Sequence, residues 1–179
     1  PNARFKIKLN STHADGNRSM YTGIVQGLEK ILDIRQGDGF STLVVSNQHD
    51  FFHDVFVGAS VAINGTCLTT THIDVNAKQV HFDVSDFTLK LTTLKSLKIG
   101  EEVNIERSAK VGMENGGHNL YGHIEGTATI LNVIRQGETL HVDLEIPDGN
   151  IKYFFFIVFI GLNGCSLTVI RVDRSAQIF

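Results

Sequence analysis

The chain has 179 residues, of which 42% are hydrophobic and 20% charged, the composition of an ordinary soluble protein with room for one or two cores. A formal net charge of −3 leaves no basic footprint for nucleic acid or for an anionic membrane. The longest apolar run, YFFFIVFI at residues 153–160, is far short of the roughly 20 residues that cross a bilayer and is expected to be a buried strand.

Residues 1–19 are polar and basic without periodicity. They are expected to be an extension or tag, with Met20 as the natural start. Beyond them, short β-branched or alternating segments at 43–45, 60–63, 79–84, 102–105 and 140–146 predict strands. Turn chemistry separates them at 37–39, Asn64-Gly65, 115–117 and Asn163-Gly164. Short helices fit the stretch 86–97. Many short strands with frequent turns predict an all-β fold, closed as an antiparallel barrel that leaves no exposed edges. The two cysteines, Cys67 and Cys165, lie in no CxxC spacing, which fits free thiols in a reducing cytoplasm.

A repeat runs through the chain. Thr22-Gly23-Ile24-Val25-Gln26-Gly27 matches Tyr121-Gly122-His123-Ile124-Glu125-Gly126 with glycine on glycine, at an offset of 122 − 23 = 99. Asn64-Gly65-Thr66-Cys67-Leu68-Thr69 matches Asn163-Gly164-Cys165-Ser166-Leu167-Thr168 at 163 − 64 = 99, and Asp74 meets Asp173 at the same distance. The expected units are 20–117 and 118–179. Counterparts of residues 81–106 would fall beyond Phe179, so the second barrel is expected to be incomplete at its C-terminal side.

The same motifs carry a family resemblance. Met20-Tyr21-Thr22-Gly23-Ile24-Val25-Gln26-Gly27, the segment 58–69, Gly116-Gly117-His118 with Gly122-His123-Ile124, and the segment 160–169 together resemble riboflavin synthase, including the related lumazine- and flavin-binding antenna proteins of luminous bacteria. The resemblance implies tandem duplicated six-stranded Greek-key barrels and a homotrimer, with sites between the first barrel of one subunit and the second of its neighbour. It implies that two molecules of 6,7-dimethyl-8-ribityllumazine exchange a four-carbon unit, giving riboflavin and a ribitylamino-pyrimidinedione, with no metal or catalytic cofactor. The alternative is a non-catalytic antenna holding the lumazine, riboflavin or FMN.

Carried over residue by residue, the resemblance implies a catalytic set of Cys67, His123, Ser166 and Thr168. It implies ligand contacts from Gly23, Ile24, Val25, Leu68, Thr69, Asp83, Thr88, Gly122, Ile124 and Leu167. Each has a plainer alternative. Cys67 can be a small buried hydrophobe, Asp83 a solvent-facing strand residue, and Ser166 and Thr168 can serve backbone groups in a turn. A histidine at 123 can donate and accept near neutral pH, which suits proton shuttling. His118 and His123, five residues apart without a convincing third ligand, make a poor zinc site. Phe87 and Ile157 stand where the family has a glutamate and a ligand-contacting lysine.

Overall fold

The structure is a computed structural model that describes residues 19–146, 151–176 and 178. The expected extension lies, apart from Ser19, outside the described residues. Six strands, β1 (Gly27–Gln36), β2 (Phe40–Ser46), β3 (Ser60–Ile63), β4 (Thr66–Asp74), β5 (Gln79–Ser85) and β6 (Glu102–Arg107), close into a barrel in the order β1-β2-β5-β4-β3-β6. Every pairing is antiparallel.

Period-two alternation explains the barrel. Along β5 the side chains of Val80, Phe82 and Val84 are buried and those of Asp83 and Ser85 are exposed. Along β4, Thr66, Leu68 and Thr70 turn inward, which leaves Cys67 and Thr69 on the outer face. Leu68, Val80, Phe82 and Val84, with Ile31, Leu43, Val61, Ile63, Val103 and Ile105, form one continuous core. Asn64 and Gly65, both at positive φ, make the two-residue turn between β3 and β4 whose twist matches the flanking strands.

Strand β1 was hidden in the sequence because its register shifts between Ile31 and Asp33, breaking the alternation halfway along. After β5 the chain forms a short helix, α1 (Asp86–Leu91). Ser85 caps it by accepting from the Thr88 amide at 3.2 Å, and Asp86 lies in its first turn. A 3₁₀ turn, Thr93–Ser96, then buries Leu94 in the barrel core.

The second half is a partial barrel. Strands β7 (Thr129–Gln136) and β8 (Thr139–Glu145) form one two-stranded sheet, and β9 (Phe159–Leu162) and β10 (Cys165–Thr168) form another. Leu144, Ile146 and Val169 make its small core, while every residue of β7 is exposed. The run 153–160 is not the buried strand expected from its composition. It spans the end of a 3₁₀ turn (Ile151–Tyr153), an irregular turn and only the first residues of β9, with Phe155, Phe156, Ile157 and Phe159 exposed.

Backbone bonding explains that outcome. The amide of Ile157 donates to Val169 O at 2.8 Å, as Gly58 does to Thr70 O. Val169 N donates to Val158 O, as Thr70 N does to Ala59 O, each at 2.9 Å. The segment follows a loop course in which Ile157 takes φ 63°, where the first half has Gly58 at φ 99°. Residues 115–117, expected as an inter-strand turn, form part of the connection between the halves instead.

Candidate functional site

Two extended segments cross between the halves and build the site. Tyr21 and Leu120 exchange backbone hydrogen bonds of 2.7 and 2.9 Å. On one side of that bridge the Cys67 amide donates to Gly122 O at 2.8 Å, and on the other the Ser166 amide donates to Gly23 O at 2.8 Å. Both glycines have positive φ, 74° at Gly23 and 69° at Gly122. A Cβ at Gly23 would sit 2.7 Å from the Ser166 Cβ, and one at Gly122 would sit 2.7 Å from the Cys67 Cβ. Only glycine permits both the backbone conformation and this approach.

The crossing encloses a cavity of about 190 Å³ on the outer face of the first barrel. Thr66, Cys67, Phe87, Thr88, Leu91 and Thr92 line it from the first half, and Gly122, His123 and Ile124 from the second. Helix α1 forms one wall, so its Ser85 cap also fixes Thr88. The sulfur of Cys67 accepts a 3.2 Å hydrogen bond from the hydroxyl of buried Tyr21. Burial, and then the neighbouring Cys67, push the Tyr21 phenol well above its ordinary range, so it stays protonated and acts as the donor.

The opposite crossing gathers a second cluster. His118 Nδ1 and Ser166 Oγ are 2.7 Å apart, and the His118 ring stacks on Phe159 with centroids 5.5 Å apart. Holding Thr22 and Gly23 in place is Glu106, 4% exposed, whose carboxyl group accepts from the Thr22 amide at 2.6 Å, the Thr22 hydroxyl at 2.8 Å and the Gly23 amide at 3.1 Å.

Of the residues singled out from sequence, Cys67, Thr88, Gly122, His123 and Ile124 meet in the cavity, and Gly23 and Ser166 meet in the second cluster. Thr69 and Asp83 lie exposed on the outer faces of β4 and β5 and do not line the cavity, and Asp83 accepts from Thr42 Oγ1 at 2.6 Å. The Leu68 side chain points the other way, into the barrel core, leaving only its backbone on the site's side. Ile24 is exposed and Val25 half-buried just beyond Gly23, while Leu167 and Thr168 continue β10 exposed.

Sequence reasoning missed Tyr21 as a hydrogen-bond donor, Glu106 as the brace, the His118–Ser166 contact, and Leu91 and Thr92 as lining. No local signal marks them, because each contact but the lining spans 46 residues or more. Among the described residues no three His, Cys, Asp or Glu side chains converge as metal ligands.

Residues 22–108, which carry the closed barrel, match the lumazine-binding domain family. The chain is 40% identical over 151 residues to the riboflavin synthase of Escherichia coli, covering 84% of this chain and 70% of that protein. It is 34% identical over 168 residues to the riboflavin synthase of Meyerozyma guilliermondii, again covering 70% of the relative. Among solved structures, LumP complexed with riboflavin superposes at TM-score 0.78 with 30% identity, over 88% of this chain and 83% of that one. LumP complexed with 6,7-dimethyl-8-(1'-D-ribityl) lumazine superposes at 0.76 with 28% identity. The chain belongs to the riboflavin synthase family.

Proposed function

We propose that this chain is a riboflavin synthase, dismutating two 6,7-dimethyl-8-ribityllumazine molecules to riboflavin and a ribitylamino-pyrimidinedione. The observation that carries the reading is His123, brought from the second half into the first-barrel cavity beside Cys67. A lumazine ring would occupy the cavity, with its ribityl hydroxyls running over the outer face that bears Thr69 and Asp83, whose oxygens can accept from them. The second substrate would lie by the His118–Ser166 cluster, with Gly23, Ile24, Val25, Leu167 and Thr168 around it. The domains would be the two repeat units, 20–117 and 118–179.

In the reaction, one lumazine gives up a four-carbon unit and becomes the pyrimidinedione, and the other accepts it and becomes riboflavin. No external oxidant or water is consumed. Holding the two rings in a fixed mutual orientation supplies up to about 7–11 kcal/mol of the barrier reduction. Imidazole at His123 would take and return the protons that leave methyl and ring carbons. No catalytic cofactor is needed. We propose a cytoplasmic protein, in keeping with the free thiols Cys67 and Cys165, and a homo-oligomer, a trimer first. The exposed apolar side chains of β7 and of the 153–160 segment support association.

The test is incubation of the purified chain with the lumazine, following riboflavin absorbance and its one-to-one pyrimidinedione partner. Riboflavin formation supports the enzyme. The complexes of LumP with lumazine, riboflavin and flavin mononucleotide favour a second reading, a ligand-holding antenna protein. Tight stoichiometric fluorescent ligand without turnover would select it.

A further inference from the structure

We propose that Tyr21 is a positioning residue of the cavity, acting through Cys67: its buried hydroxyl donates to the sulfur and fixes where the thiol sits relative to His123. This inference rests on the cavity being the ligand site and adds a residue to it.

The geometry forms a closed circuit. Tyr21 is 1% exposed, and its backbone is bonded in both directions to Leu120. Two residues further on, Gly122 O receives the Cys67 amide at 2.8 Å. The circuit closes where the Tyr21 hydroxyl reaches Cys67 Sγ at 3.2 Å. The backbone of Cys67 is therefore tied to the segment that carries His123, and its side chain to Tyr21, which is paired with that segment. Cys67 and His123 line the same cavity from opposite halves, so whatever holds the sulfur also sets the spacing between these two groups.

The direction of the hydrogen bond has a chemical consequence. A phenol buried this deeply, beside Glu106, keeps its proton. It must donate, and one sulfur lone pair is occupied. The thiol's own proton is then free to point into the cavity. That bond holds the sulfur in one rotamer at the cavity wall, and without it the side chain is free to turn about its Cα–Cβ bond to the other staggered positions.

The experiment is site-resolved alkylation of Cys67 by iodoacetamide in the intact chain, with Cys165 in the same digest as internal control. In Tyr21→Phe, which keeps the ring and removes only the hydroxyl, the sulfur is expected to leave the cavity-facing rotamer and Cys67 to alkylate about fivefold more slowly, with the Cys165 rate unchanged. Equal Cys67 rates in the two proteins overturn the proposal. Should Tyr21→Phe fail to fold, Cys67→Ala serves: loss of the acceptor is expected to shift the near-ultraviolet band of the buried tyrosine to the blue, and an unshifted spectrum overturns the proposal. Repeating the alkylation with 6,7-dimethyl-8-ribityllumazine present separates the two claims. Protection of Cys67 by the lumazine is expected, and its absence refutes the cavity as the ligand site while leaving the Tyr21–Cys67 link standing or falling on the ligand-free rates.

Discussion

Replacing Glu106 with alanine is expected to cost about 4 kcal/mol of folding stability. Its carboxyl group, buried in strand β6, is the acceptor for two backbone amides and a hydroxyl of the segment that opens the first unit. The Thr22 hydroxyl can rotate to water, but the amides of Thr22 and Gly23 cannot turn away without breaking the crossing. An orphaned buried donor costs about 1–3 kcal/mol, and two of them give roughly 4 kcal/mol. Glu106→Gln keeps one acceptor oxygen and puts an N–H₂ against the remaining donor, so about half that loss is expected. Against a domain stability of about 5–15 kcal/mol, the alanine variant approaches unfolding. Equilibrium urea unfolding measures the difference directly. Hydrogen exchange at Gly23 should accelerate, and since Gly23 O holds the Ser166 amide, exchange at Ser166 should follow. A loss under about 1 kcal/mol, or unchanged protection at both amides, would refute the idea that Glu106 braces the two halves.

His123→Ala is expected to slow riboflavin formation by about 100- to 10,000-fold with a much smaller change in lumazine affinity; parallel loss of both, measured by single-turnover rates and fluorescence titration, would contradict a proton-transfer role. Calorimetry with the lumazine is expected to show the first-barrel cavity binding more tightly than the His118–Ser166 cluster, and two equivalent sites per chain would sink that ranking. Ile157→Gly is expected to raise stability by about 1 kcal/mol, because a β-branched residue sits at φ 63° where the matching loop has glycine; unchanged urea midpoints would remove the strain argument. His81 is held below the ordinary imidazole value, first by burial and then by the adjacent His72 ring. Its neutral form is the one the fold prefers, so stability is expected to decline as pH falls through about 6.5 and below, and His81→Gln should flatten that decline in melting-temperature scans.

Much of this molecule was legible in its residues. Alternation at 79–84, the Asn64-Gly65 turn and the paired glycine motifs depend on neighbours two or three positions away, and such short-range chemistry gives strands, hairpins and the family. The repeat offset also named Gly23 and Gly122, which prove to be two of the points where the halves touch. Composition failed where backbone bonding overruled it: residues 153–160 are apolar enough for a buried strand, yet they follow the loop course shared with the first half and leave Phe155, Phe156 and Phe159 exposed. Tertiary structure alone decided that Gly122 and His123 serve the first barrel rather than their own half, that Leu68 faces the core, and that Tyr21 reaches Cys67 across 46 residues. The reason is physical. A buried carboxyl such as Glu106 or a buried phenol such as Tyr21 looks, in one dimension, like any other polar residue, and its meaning comes from donors and acceptors that only folding brings within 3 Å or so.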